Sequence, residues 1–463
     1  MTGCDATFIY DDRPDEPQHT LKVAILGAEA SAHFSLEGMR SWVAARLPAL
    51  PPLRWQALRV PFDLHHPVWA DAPQLDLSYH LKHAAIPAPG GRRELCDAIS
   101  ELAGAQLDPD RPLWQLWLFE GYEEDRVVAV LKLSHALGDG AASRRLLEIL
   151  FSEDVPEPLA AAPAPLPSRW ALLRNALLDR LREPFVDAPR MWAVLRRVRA
   201  RLAAARREGE LPSALPNIFD SPTTPFAGPL GKRRAFYFTT LSLSAAKQAR
   251  RSLDCTLNDV VLGAAAGAMR RYLLQHGALP GLPTVAIMPA STREPGCTGW
   301  DNQFTVRGIE FPTHESDPIE RVRSVARSTR NAKRDLALRG GSNLEDWLRC
   351  LPPFLPKAIS RLMRALIQVL PKPPGCICVS NVPGPQTTLM APGGPVERLV
   401  SVGHMKYAAG LNLTVWSYGD QLNVGLYSDA EAAPDLWRMA ECVNEAFEEL
   451  CKAAAREDTR IAA

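Results

Sequence analysis

The sequence predicts an α/β protein made of two halves, each a mixed sheet with helices, with functional residues at the end of a buried strand. Three observations carry this. Strand-length apolar runs alternate with longer helical patterns in both halves. A Pro/Ala-rich stretch, PEPLAAAPAPLP at 156–167, breaks the chain between them. The 463 residues suffice for two or three domains of roughly 100–200 residues. The expected partition is 1–155, a linker with basic helices at 156–228, and 229–463.

In chain order, Leu21–Leu26 (LKVAIL) reads as a strand and Leu36–Arg46 as a helix. Val127–Leu133 (VVAVLKL) is a β-branched run ending in a polar loop, hence a buried strand. Ala141–Phe151 has helical spacing, with Leu146, Leu147 and Leu150 on one face. Arg169–Arg207 carries eleven arginines against Asp179, Glu183 and Asp187, a net of +8. Met191, Leu195, Val198 and Leu202 form an apolar stripe there, opposite most of Arg196, Arg197, Arg199 and Arg201. An interfacial helix on anionic lipid, flanked by Trp170 and Trp192, and an interdomain brace with solvated arginines both produce this pattern. In the second half Ala235–Leu241, Thr284–Pro289, Gln303–Phe311, Ile377–Asn381, Leu411–Tyr418 and Gln421–Tyr427 read as strands. Leu257–Leu274, Pro318–Leu338 and Pro434–Lys452 read as helices.

Composition excludes several classes. Lys+Arg 53 against Asp+Glu 52 leaves a charge of +1, without the basic excess of a nonspecific nucleic-acid binder. No apolar run approaches the roughly 18 residues that span a bilayer. MTGCDATFIYDD lacks the basic start and apolar core of a signal peptide, so a cytoplasmic protein is expected. The nine cysteines are scattered, and Cys376-Ile377-Cys378 is not a CxxC metal or redox pair. No His/Cys/Asp cluster has metal-ligand spacing and no Gly-rich phosphate loop is present, so neither metal nor nucleotide cofactor is expected.

The outstanding motif is Leu133-Ser134-His135-Ala136-Leu137-Gly138-Asp139-Gly140, where a strand ends and a helix begins. An imidazole with an ordinary pKa near 6.5, held rigidly at a strand end, is suited to take a proton from a hydroxyl. Asp139 has two open roles, orienting the imidazole or turning to an arginine to lock the loop. Gly140 follows where free φ or close approach is needed. The plainer alternative is a structural histidine capping a strand. Ser134 and His135 point to opposite strand faces, so they cannot form a nucleophile–base pair. No GxSxG elbow exists, and the His65-His66 pair sits in a Pro-rich loop as surface or packing.

His-x-x-x-Asp-Gly between two α/β halves resembles the superfamily of chloramphenicol acetyltransferase and the peptide-synthetase condensation domains. Within it the chain resembles the bacterial wax ester synthase / diacylglycerol acyltransferase family over nearly its whole length. The matching blocks are CDATFIYDD with LKVAIL, the stretch from Pro67-Val68-Trp69 to Arg111-Pro112-Leu113-Trp114, LNDVVLGAAAGAMRRYL, DNQFTV, SNVPGP (Ser380–Pro385) and GLNLTVWSY. The resemblance implies two chloramphenicol acetyltransferase-like lobes with the active site at their interface.

It also implies an acyl-CoA-dependent O-acyltransferase acting on a fatty alcohol or diacylglycerol, with acyl-CoA as co-substrate. His135 matches the family's catalytic histidine, and Asp139 and Gly140 match the following DG. Asn258 and Asp259 match an ND pair facing the same site, Asn258 being the expected oxyanion donor. Pro112, Leu113 and Trp114 match a PLW block that is structural or tunnel-lining, and Ser380 and Asn381 are further tunnel candidates. Ser134 stands where the family has its first histidine, and its expected role is loop support. Gly403-His404-Met405-Lys406-Tyr407 departs from the relatives before the GLN turn and is a candidate lining of the acceptor pocket. The lipid reading of Arg169–Arg207 adds peripheral contact with the inner membrane face or lipid droplets. Acylation of a specialised-metabolite hydroxyl, and an inactive acyl-CoA-binding scaffold, are the rival functions.

Overall fold

The computed structural model describes residues 1–158, 165–294, 296–339, 351–406 and 409–462. Its strands are β1 (His19–Leu26), β2 (Trp55–Leu58), β3 (Val68–Asp71), β4 (Leu81–Ala85), β5 (Trp114–Tyr122), β6 (Arg126–Ser134) and β7 (Arg234–Ser242). They continue with β8 (Thr284–Ser291), β9 (Phe304–Phe311), β10 (Ile377–Val382), β11 (Met390–Ala391), β12 (Gly394–Val402), β13 (Leu411–Tyr418) and β14 (Gln421–Asp429).

Two six-stranded sheets organise the molecule. The first runs β11-β12-β1-β6-β5-β4 and the second β7-β14-β13-β10-β8-β9. Both are mixed: β4 is parallel to β5, and β10 is parallel to β13 and β8, while the other pairings are antiparallel. Strand β1 lies inside the first sheet and is buried at all eight positions.

The expected boundary at 229 fails at one place. Strands β11 and β12 come from the C-terminal half but complete the first sheet, with Lys22 opposite Ser401. The sequence reading missed β12 altogether. Its partner lies far away in the chain, so no local hydrophobic pattern announces the pairing. A core formed by Leu21, Val23, Val130, Phe236, Phe238, Val400 and Tyr427 is accordingly shared by both halves. Where the sheets meet, Gly425 of β14 lies against the Ser401 carbonyl, and a Cβ there would collide with it. The Leu257–Gln275 helix is rich in small residues for a similar reason. Gly263 and Gly267 abut Val322 and Arg321 of the Pro318–Arg339 helix, and larger side chains would force the pair apart.

The basic segment forms one helix, Arg169–Glu208. Its predicted stripe, Met191, Leu195, Val198 and Leu202, is half-buried, while Arg196, Arg197, Arg199 and Arg201 are exposed. That half of the helix follows the bracing pattern. The exposed apolar side chains lie earlier: Trp170, Leu177, Leu178, Leu181, Phe185 and Val186, together with Trp192. Among the described residues, no helix is long and apolar enough to cross a membrane.

Candidate active site

His135 follows the last residue of β6 and opens a single 3-10 turn, His135–Leu137. Its backbone N–H donates to the Gln18 carbonyl (2.9 Å), tying the turn to the segment entering β1. Gly138 takes φ +146 against the Trp300 carbonyl, a conformation and an approach that a side chain would obstruct. Gly140 is needed for space instead, because a Cβ there would press on Val382 of β10.

The imidazole is positioned from the other half of the protein. Asn302, in the loop before β9, donates from Nδ2 to Asp5 Oδ1 (2.7 Å) and to the His135 carbonyl (2.8 Å). Its backbone N–H also donates to Asp5 (3.0 Å). The amide orientation is thereby set, and Asn302 Oδ1 accepts from His135 Nδ1 at 3.1 Å. This assigns the tautomer: Nδ1 carries the proton and Nε2 keeps its lone pair. Phe8 stacks on the ring at 4.3 Å and His404 meets it edge-on at 4.6 Å. Burial lowers the His135 pKa to about 4, outweighing the hydrogen bonds and the Asp139 charge that favour the imidazolium. Burial likewise pushes the His404 pKa well below the ordinary value, and raises that of Asp5.

A base must be deprotonated to work, so a lowered pKa extends activity to lower pH. In the folded enzyme kcat/KM is expected to stay level through the ordinary imidazole value of 6.5 and to fall only toward about 4. A pH–rate profile with a soluble short-chain acceptor checks this. A half-maximal point near 6.5 would show a solvated histidine instead.

Asp139 takes the second of its two open roles. Oδ1 caps the Gly140–Leu150 helix, accepting from Ala141 and Ala142 N–H (3.1 and 3.0 Å). Oδ2 accepts from Arg293 Nε and from the Gln303 backbone N–H, both at 3.0 Å. Arg293 also donates to the carbonyls of Gly299 and Asp301, so this ion pair, together with Arg145 donating to the Thr298 carbonyl, holds the segment that carries Asn302 over the His135 turn. Asp139 is a positioning residue, and Asn302, delivered by that loop, does the orienting.

His135 lines a cavity of about 340 Å³ at the meeting of the two halves. Ser380 and Asn381 of β10 line it as well, with Gly403 and His404 from the divergent segment. Tyr407 of that segment lies outside the described residues. Ser134 faces a different cavity, about 160 Å³, beside His19 and Leu113, and its Oγ accepts from Ala136 N–H (3.3 Å).

Two sequence expectations change. Asn258 does not line the His135 cavity; its Oδ1 accepts from Asn381 Nδ2 (3.2 Å), so Asn381 stands between it and the reacting centre. Asp259 keeps the support role expected of it, closing a capping box with Thr256 and accepting from Thr329 Oγ1 at 2.7 Å. Trp114 is fully buried, donates to the Leu53 carbonyl (2.7 Å) and stacks on His80, while Pro112 does not line the cavity. The PLW block therefore builds the first lobe and lines no part of this cavity. Sequence reasoning missed Asn302, Asp5, Phe8 and Arg293. The first three lie in the quoted blocks DNQFTV and CDATFIYDD, but no spacing rule links residues so distant in sequence.

The chain matches the family model of the wax ester synthase/diacylglycerol acyltransferase catalytic domain over residues 1–261, and that of the WS/DGAT C-terminal domain over 300–451. The chain belongs to this family. A putative diacylglycerol O-acyltransferase of Mycobacterium tuberculosis is 35% identical over 460 residues, covering 97% of this chain and 89% of the relative. Another from the same organism is 33% identical over 463 residues, covering 98% and 96%. Among solved structures, the wax ester synthase/diacylglycerol acyltransferase from Marinobacter aquaeolei VT8 aligns with TM-score 0.66 and 21% identity over 98% of both chains. The first condensation domain of the CDA synthetase aligns with TM-score 0.59 and 14% identity, covering 98% and 95%. The two-lobed fold expected from the chloramphenicol acetyltransferase-like superfamily is the fold of this acyltransferase.

Proposed function

We propose that this acyltransferase moves an acyl group from acyl-CoA to the hydroxyl of a fatty alcohol or diacylglycerol, with His135 as general base. The observation that carries the proposal is the Asp5–Asn302–His135 chain, which leaves the basic Nε2 for the cavity. In this scheme Nε2 takes the hydroxyl proton as the oxygen attacks the thioester carbon. The tetrahedral intermediate then collapses, the C–S bond breaks, and the imidazolium returns the proton to the CoA thiolate. Acid–base assistance of this kind contributes about 10²–10⁴-fold. Asn381, oriented by Asn258, is the proposed donor to the oxyanion through its second amide N–H. Acyl-CoA is the co-substrate, and no step calls on a metal or another cofactor.

The test is release of CoA thiol from palmitoyl-CoA with a fatty alcohol or diacylglycerol, followed by mass analysis of the ester. Binding of acyl-CoA without thiol release from any acceptor would indicate a scaffold.

Contact with a lipid surface is part of the same proposal. The loop carrying Phe62 is pinned between two helices. Arg180 of the long helix donates to the Leu64 carbonyl (2.7 Å), and Lys357 of the Phe354–Val369 helix pairs with Asp63 (2.7 Å). Phe62 and Phe185 are 85% and 81% exposed, and Phe354 and Leu362 also face out. Arginines accompany this apolar surface, the combination that binds anionic lipid. A separate cavity of about 710 Å³ lies between the long helix, at Val186, and Ala136 and Leu137 of the His135 turn. Co-sedimentation with anionic liposomes is expected to weaken with salt, as the Debye length falls from ~10 Å at 0.1 M to ~3 Å at 1 M. It is also expected to drop when Arg196, Arg197, Arg199 and Arg201 become Gln, with turnover of a soluble short-chain pair retained. Unchanged sedimentation would leave the whole segment as a brace.

A further inference from the structure

Lys22 is a buried amine in the His135 cavity that the mechanism above does not use; burial lowers its pKa to about 7, and an anion beside it would hold it in the ammonium form. It stands in the middle of β1, where alternation sends Leu21, Val23 and Ile25 into the shared core and Thr20 and Lys22 to the opposite face. Lys22 Nζ donates to Ser401 Oγ at 2.7 Å and lies 4.7 Å from the centre of the Trp416 ring. Among the described residues it has no carboxylate partner. Asp139, the one carboxylate lining the cavity, is engaged by Arg293 and the helix start.

The other lysine buried in this sheet shows what a structural role looks like. Lys132 of β6 donates to the carbonyls of Leu102 and Ala105, closing the C-terminal end of the Arg92–Gly104 helix. Lys22 has one hydroxyl and an aromatic face, and its ammonium retains donors for a ligand. Around it Thr20, Ser401, Asn412 and Thr414 make a polar floor spread over β1, β12 and β13. Ser401, Asn412 and Thr414 are already hydrogen-bonded within the protein, which leaves the remaining Lys22 donors as the group there that a polar ligand would satisfy. The phosphates of acyl-CoA cannot be the missing anion, because the pantetheine arm holds them far from a thioester placed at His135.

We propose that this cavity accepts a further class of acceptor, a hydroxylated carboxylic acid, whose carboxylate pairs with Lys22 while its hydroxyl reaches His135 Nε2. The inference rests on the acyltransferase reading and extends its acceptors. The hydroxyl O–H bond breaks, its proton passing to Nε2. The new ester C–O bond forms as the thioester C–S bond breaks, the thiolate takes that proton, and the carboxylate leaves the reaction unchanged.

The test uses the full chain, palmitoyl-CoA and hydroxydecanoic acids with the hydroxyl near, midway along or far from the carboxyl group, each beside its methyl ester and decanol. At least one free acid is expected to exceed its ester in kcat/KM by about tenfold or more, the worth of a hydrogen bond to a charged group. Lys22→Met should collapse that ratio and Lys22→Arg should retain part of it. The proposal is overturned if every ester matches or exceeds its acid in the unmodified protein, a comparison needing no variant. It also falls if Lys22→Met lowers turnover equally with all acceptors, which would place the ammonium on the transition-state oxyanion. If alcohols are acylated and the acids are not, only this proposal fails. If no acceptor releases CoA thiol, the acyltransferase reading fails with it.

Discussion

His135→Ala is expected to lower kcat by at least about a hundredfold, with the protein still folded and still binding acyl-CoA. The reason lies in how completely the surroundings are committed to one ring. Asn302 fixes the tautomer, Phe8 and His404 fix the plane, and burial keeps the ring neutral. Alanine removes the side chain so held, and the backbone bond to Gln18 that shapes the turn survives. Thiol release with a soluble acceptor measures the loss, and a thermal melt confirms the fold. Near-normal turnover would remove His135 from the mechanism.

Asp139→Ala should act on structure first and on rate as a consequence. Arg293 is 8% exposed at its side chain and would lose its carboxylate, leaving a buried cation unpaired. Breaking such a pair by removing one partner costs about 3–5 kcal/mol. The Gly140–Leu150 helix would lose the oxygen that accepts from its first N–H groups, worth about 1 kcal/mol more. The segment that Arg293 braces carries Asn302, so loosening it also loosens the imidazole's partner, which Asp5 still holds, and activity should fall by about tenfold. The urea midpoint and kcat of the same preparation check both effects. Asp139→Asn keeps an oxygen for the helix cap but not the charge for Arg293, and should fall between. An unchanged midpoint would show that the loop is held by other contacts.

The parts legible in sequence are those with a local signal. Val127–Leu133 announces β6 through its β-branched run, and Ser134-His135 at its end, followed by Gly138-Asp139-Gly140, announces a turn into a helix. Thr256 ahead of Leu257, with Asp259 three residues on, is a capping box that marks where the long apolar helix begins. Asp139 was harder. An acidic residue four positions after the histidine reads equally well as a partner for the imidazole or as a partner for an arginine that locks the loop. Only the position of Arg293, 154 residues away, decides between them. The family blocks named DNQFTV without a role for Asn302, since a hydrogen bond joining it to both His135 and Asp5 has no trace in the spacing of any one segment.

The amino-acid sequence by itself determined the α/β class, eight of the fourteen described strands, the longest helices, the His135 turn and the family, because hydrophobic periodicity, caps and ordered motifs are properties of short stretches. The tertiary structure decided everything that depends on segments meeting. It placed β12 in the first sheet, brought Asn302 to His135, turned Asp139 to Arg293 and set Asn381 in front of Asn258. It also left Lys22, the one polar residue of the run LKVAIL, in a cavity. The physical reason is the same in each case: hydrogen bonds, ion pairs and burial depend on distance in space, and chain order specifies that distance only within a turn or two of helix or a strand.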